Sequence, residues 1–258
     1  MNERIITPEE LAQAGRFEEY VPVYKVDAKT VVKTGDSVRL AEANAMKLVR
    51  KRTTIPVPEI YNAYIDSVTG HARIVMEFIE GDRLDHVWDR FDDKQKEHVI
   101  EQLRSYFSQL RRIEESFIGS VDEMACEDQL FTDEIGAYGP YKDEAGFNQG
   151  IVTALKNIST GGWVDTVSDM VLTMKCHKIV LTHGDMSLRN IIVQGSTVVA
   201  ILDWEMSGYY PEYWEYVKAL YRPAWEGGWI KGRAVDKILE PYLMELAVFL
   251  HVNSIGGW

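Results

Sequence analysis

Apolar and β-branched positions fall in short runs as far as Gly81 and in helix-spaced stripes beyond it. In residues 21–33 strand-forming residues flank Asp27-Ala28-Lys29, which predicts a hairpin. Gly35-Asp36-Ser37 offers a turn with Ser37 as helix N-cap. The stripe Val38, Ala41, Ala45, Leu48 and Val49 then predicts a helix over residues 37–51. Ile55-Pro56-Val57-Pro58 forces an extended crossing, because proline lacks an amide hydrogen and disfavours a helical residue before it. Two more strands are expected at 59–65 and 71–79, joined by a turn from Asp66 to Gly70. After Gly81, Asp92 or Asp93 caps a long helix with Val99, Ile100, Leu103, Tyr106, Phe107, Leu110 and Ile113 on one face. Residues 116–146 are loop-rich. Helices are expected at 143–157 and 163–174, and short strands at 179–181, 191–193 and 198–202. From Tyr209 onward the chain reads as helices rich in Trp and Tyr. Strands first and helices later predict an α+β fold in two parts, residues 1–80 and residues 81–258.

Composition narrows the function. A formal charge of −12, spread along the chain, argues against nucleic acid, which needs a basic stripe, and suits cationic partners. No apolar stretch approaches the ~18 residues of a membrane span, and the charged start MNERIITPEE lacks a signal peptide's apolar run. Cys126 and Cys176 form no CxxC pair, so reduced thiols in a cytoplasmic protein are expected, with a single disulfide left open.

The candidate chemistry lies in two segments, LTHGDMSLRN ending at Asn190 and ILDWE ending at Glu205. Strand-forming residues flank Gly195-Ser196, so a hairpin there would bring Asn190 and Asp203 together. A carboxylate and an amide converging in this way suit Mg²⁺, which takes hard oxygen ligands and keeps waters and phosphates in its shell. Asp185 then stands where an acceptor hydroxyl is oriented and loses its proton. Phosphoryl transfer asks the protein mainly for positioning and charge neutralisation, and these residues supply both.

With these residues the chain resembles the aminoglycoside phosphotransferase and choline-kinase-like family. HGDMSLRN and ILDWE are similar to its catalytic loop and metal-binding segment; TTIPVPEIY, VMEFIEG and GYYPEYWEY are similar to its fungal members. The resemblance implies a two-lobed protein-kinase-like fold, with a small antiparallel-sheet lobe binding nucleotide over residues 1–80. A mostly helical lobe over residues 81–258 would carry the catalytic loop and acceptor pocket. It implies ATP and Mg²⁺ as cofactors and transfer of the γ-phosphate to a hydroxyl or amine of a small molecule. Asp185 would be the base, Asn190 and Asp203 the metal ligands, and Lys33, paired with Glu42, the contact to the α- and β-phosphates. The backbone of Glu77 and Ile79 would meet the adenine edge, and His183 would be structural.

The resemblance implies an acceptor between the catalytic loop and the C-terminal helices. That region offers Glu205, Glu212 and Trp214 as first candidates, with Tyr209, Tyr210, Tyr213, Glu215, Trp225 and Trp229 around them. Carboxylates mixed with aromatics would suit a cationic acceptor; aromatics at helical spacing also build cores, and Pro211 suits a first helical turn with Glu212 and Glu215 near its positive end. No GxGxxG precedes Lys33, only the Asp27-Ala28-Lys29-Thr30 turn, and the step from Lys33 to Glu42 is short. These departures keep an inactive pseudokinase, a nucleotide-binding scaffold, as the alternative. A GDS-type esterase fails because no DxxH follows near the C-terminus. A zinc site at Cys176-His177 lacks a second pair, and DWE without an APE-like stretch speaks against a protein kinase.

Overall fold

The computed structural model describes residues 4–17, 22–131, 138–221 and 226–256. Its first part is a helix, α1 (Pro8–Gln13), and a five-stranded antiparallel sheet. The strands are β1 (Gly15–Arg16), β2 (Val23–Lys25), β3 (Thr30–Gly35), β4 (Ile60–Ile65) and β5 (Ala72–Glu77), in the spatial order β1-β2-β3-β5-β4. Helix α2 (Leu40–Arg52) lies between β3 and β4 in sequence. Register sorts the side chains: Val23 pairs with Lys33, Lys25 with Val31, Val31 with Met76 and Lys33 with Ile74. Because side chains alternate across a strand, these residues share the inner face. Val32 and Val75 take the outer face, where Ile6 covers them. Arg73 donates to the Ile6 carbonyl at 2.7 Å and pairs with Asp66 at 2.8 Å, which fastens the N-terminal segment to the sheet.

The chain leaves the sheet at Gly81, where a Cβ would stand 2.7 Å from the Val193 carbonyl oxygen at a φ of 155°. A strand β6 (Asp82–Arg83) and helices α3 (Leu84–Val87), α4 (Asp93–Leu110), α5 (Glu144–Ile158) and α6 (Gly162–Thr173) follow. Asp92 caps α4 through a reciprocal box with Gln95, and Asp143 caps α5. Then come β7 (Ile179–Thr182), β8 (Ile191–Gln194), β9 (Thr197–Ile201), β10 (Gly208–Pro211), α7 (Trp214–Ala219), α8 (Gly228–Lys231), α9 (Ala234–Ile238) and α10 (Leu243–Gly256). Strands β6-β8-β9 form one small sheet and β10-β7 another. The largest apolar cluster joins Val31, Met46 and Ile74 of the first part to Leu103, Ile201 and Trp204 of the second. Among the described residues no helix is long and apolar enough to cross a membrane.

Two expectations are corrected. The second helix begins at Leu40, not Ser37, and Ser37 does not cap it; Arg39 occupies the N-cap and its guanidinium donates to the Asp36 carbonyl at 2.6 Å. The segment after Ser207 opens as a strand, because Tyr209 and Tyr210 pair with Leu181 and Val180, and Pro211 ends that strand rather than starting a helix. Strands β1 and β6, two residues each, are too short to leave a periodic signal.

Candidate active site

Lys33 sits on the inner face of β3 and is 5% exposed. Its ammonium lies 2.9 Å from Glu42 of α2, 2.8 Å from Asp203 and 2.9 Å from Glu205. Burial alone would lower the pKa of Lys33; Glu42, Asp203 and Glu205 outweigh that and hold it well above the ordinary lysine range. Burial also pushes the Glu42 carboxyl up, to about 7, against the pull of Lys33. One ammonium therefore faces three carboxylates, so the cluster carries excess negative charge.

The β8–β9 hairpin builds the other half. Ile191 pairs with Ile201, and the Leu202 amide donates to the Asn190 carbonyl at 2.7 Å, which brings Asn190 beside the Asp203 segment. Asn190 Nδ2 donates to the Asp185 carboxylate at 2.8 Å and to its carbonyl at 3.0 Å. Both amide hydrogens are thereby engaged, and Oδ1 remains the atom able to ligate a cation. Asp203 itself adopts a left-handed φ of 63°, a conformation unfavourable for a residue with a side chain and concentrated at functional sites. Burial raises the Asp185 pKa, while His183 and the Asn190 hydrogen bond pull it back. Arg189 stands 3.9 Å from the same carboxylate.

His183 is fully buried. Its Nδ1 accepts from the Asp185 amide at 3.1 Å, so Nε2 carries the hydrogen donated to the Leu202 carbonyl at 2.9 Å. One ring thus ties the Asp185 loop to the Asp203 segment. Beneath it, the Glu215 carboxylate accepts from the His183 amide at 2.6 Å and the Gly184 amide at 3.3 Å. Burial raises the Glu215 pKa against these donors. Gly184 needs its missing side chain: at a φ of 83°, a Cβ would stand 2.6 Å from the Met206 carbonyl oxygen. Glu215 does lie in the first turn of α7, as a helix-end charge would, but its grip on the His183–Gly184 amides is what sequence reasoning missed. A carboxylate facing the loop across two strands leaves no local sequence signal.

The other expected residues scatter. Glu205 joins the Lys33 cluster. Trp214 is 1% exposed, its indole donating to Asp128 at 3.3 Å and its ring packed on Phe147 and Phe249, so it presents no surface to an acceptor. Tyr209, Tyr210, Tyr213 and Trp229 are likewise core. The Glu212 carboxylate accepts from the Lys178 amide at 3.3 Å. Glu77 ends β5 and its amide donates to the Glu59 carbonyl at 2.9 Å, leaving its carbonyl and the following Phe78-Ile79 at the exit from the sheet. Trp225 lies outside the described residues.

The donor set tests well against magnesium. Carboxylate oxygens of Glu42, Asp203 and Glu205 come within 4.8 Å of one another around the Lys33 ammonium, and Asn190, a further hard oxygen donor, is tied to the Asp203 segment through the Leu202 amide.

An antiparallel sheet carrying a buried lysine–glutamate pair, followed by a helical part, is the fold of kinase-like phosphotransferases. A model of the phosphotransferase enzyme family matches residues 23–243, and the chain belongs to that family. Among solved structures it is similar to a thermostable mutant of aminoglycoside phosphotransferase APH(4)-Ia in ternary complex with ADP and hygromycin B. The identity is 10%, over 96% of this chain and 86% of that one, with a TM-score of 0.63. It is also similar to an APH(2'') enzyme in complex with GDP and kanamycin, at 14% identity, 94% and 83% coverage and a TM-score of 0.62. A putative aminoglycoside phosphotransferase from Ralstonia eutropha matches at 16% identity, 94% and 73% coverage and a TM-score of 0.58. A search of curated protein sequences finds no match.

Proposed function

We propose that the chain is an ATP-dependent kinase of small molecules, transferring the γ-phosphate to a hydroxyl or amine. The observation that carries this reading is the convergence of Lys33, Glu42 and Asp203 from three separate elements, linked through Leu202 and Asn190 to Asp185. Residues 1–80 would bind the nucleotide and residues 81–258 the acceptor, with the Glu77 carbonyl and Ile79 amide at the adenine edge. Lys33 exchanges Asp203 and Glu205 for α- and β-phosphate oxygens, and Glu42 keeps it aimed. Asp185, held by Asn190, takes the proton of the acceptor as its oxygen or nitrogen bonds to the γ-phosphorus. The bond from that phosphorus to the β–γ bridging oxygen breaks and ADP departs. Asn190, Asp203 and Glu205 would hold Mg²⁺. When bound, the ion would neutralise charge on the β- and γ-phosphates. His183 and Glu215 keep the loop in register throughout.

The −12 charge, together with relatives crystallised on hygromycin B and kanamycin, supports a cationic acceptor. Two unpaired cysteines support a reducing, cytoplasmic setting. Thermal unfolding with and without ATP and MgCl₂ tests the reading, repeated on Asp203→Ala. Ligand at about a hundred times its dissociation constant adds ~2.7 kcal/mol, roughly 5–10 °C for a chain of this size. A magnesium-dependent rise lost in the variant supports the kinase and leads to a screen of aminoglycosides and choline-like amines for ADP release. A magnesium-independent rise without turnover on any acceptor favours the pseudokinase, and no shift at millimolar ATP removes nucleotide binding itself.

A further inference from the structure

Away from the Lys33 cluster, one histidine is held between two carboxylates. His177 lies two residues before β7, and its side chain is 14% exposed. Its Nδ1 is 2.6 Å from Glu144 Oε1, and its backbone amide donates to Glu144 Oε2 at 3.1 Å, so α5 grips it twice. On the other edge of the ring, Nε2 is 3.4 Å from Glu245 Oε1 in the first turn of α10. Tyr213 packs edge-on at 4.7 Å and Tyr242 at 6.0 Å. Nearby cations are engaged elsewhere: Arg111 with the Glu212 carbonyl and the Tyr242 hydroxyl, Lys178 with Glu114. The Tyr213 hydroxyl is buried without a hydrogen-bond partner and neutralises neither carboxylate.

Carboxylate oxygens only accept, so an attraction at both ring nitrogens requires a hydrogen on each. We propose that the His177 imidazolium is a protonation-dependent clamp docking the C-terminal helix α10 onto α5 and the approach to β7. The clamp is lopsided. When the ring loses a proton, the short contact to Glu144 keeps the Nδ1 hydrogen. The Nε2 lone pair is then left facing the Glu245 carboxylate, and attraction becomes repulsion on the α10 side alone. Rising pH therefore loosens the start of α10 while leaving α5 gripped. The helix so released carries Phe249 and Val252, which pack beside Trp214 of α7, the helix that also supplies Glu215 to the His183 loop.

Hydrogen exchange of α10 amides, expressed as protection factors between about pH 5 and 8, reads this directly on the whole chain. The expected result is a loss of roughly fivefold in α10 protection as pH rises, with α5 unchanged. Nitrogen NMR of His177 should show a doubly protonated ring giving way to the Nδ1–H form in step with the loss of α10 protection. In Glu245→Gln the α10 profile should be flat. Glu245 also favours the positive end of α10, so the readout is the pH dependence rather than the absolute protection. Flat α10 protection in the native chain overturns the proposal. So does an unchanged slope in Glu245→Gln, or a ring that never becomes doubly protonated.

Discussion

At Lys33 the cost of burying a charge and the means of offsetting it lie within 3 Å of one ammonium. Lys33→Met removes the partner that Glu42, Asp203 and Glu205 share, and breaking a buried pair by removing one member costs about 3–5 kcal/mol. Urea unfolding of Lys33→Met, Glu42→Gln and the double variant should show the double variant less damaged than Lys33→Met. The pH dependence follows from the raised carboxyl. Glu42 shifts from 4.5 to about 7 in the folded chain, so the folded state binds its proton more tightly than the unfolded one. Its contribution to stability is full below about 4.5 and is lost as pH rises through about 7. The wild type should therefore lose stability relative to Glu42→Gln across that window. For Asp185, also raised by burial, the consequence is kinetic. Phosphate-transfer rates should fall on acidification at a higher pH than an ordinary aspartate would dictate, and Asp185→Asn should cost about 10²–10⁴ in kcat.

Among the elements, α7 is short yet bears on the His183–Asn190 loop through one carboxylate. Glu215→Ala would strand the buried amides of His183 and Gly184, at about 1–3 kcal/mol each. The melting temperature should fall by several degrees and turnover with it, while Glu215→Gln, which still offers an acceptor, should recover part of both. This element also marks where sequence reading ends. The α4 stripe, the Asp92 cap and the Asn190–Asp203 hairpin were legible, because each rests on local periodicity or on turn chemistry. Strand β10 was not: Tyr209 and Tyr210 are aromatic whether in sheet or helix, and only Leu181 and Val180, far back in the chain, decide between them. Glu205 and Trp214 were misplaced for the same reason. A spacing of two residues after Asp203 does not say which way a side chain turns, and a Trp in a helix is core or pocket according to what packs above it.

For the molecule as a whole, the shared apolar cluster matters more than the boundary at Gly81. Val31, Met46, Ile55 and Ile74 bury against Leu103, Phe107 and Ile201, and the Ile201 amide donates to the Pro56 carbonyl at 2.8 Å across the divide. Calorimetry should accordingly give one transition, with calorimetric and van't Hoff enthalpies agreeing. Two resolved peaks would show that the parts melt independently. The same continuity limits modular exchange. A sheet part grafted from a relative at 10–17% identity would arrive with side-chain volumes cut for a different neighbour, leaving voids and clashes along the seam. The inner sheet face is therefore open to redesign at individual positions, but not by transplanting the sheet as a cassette.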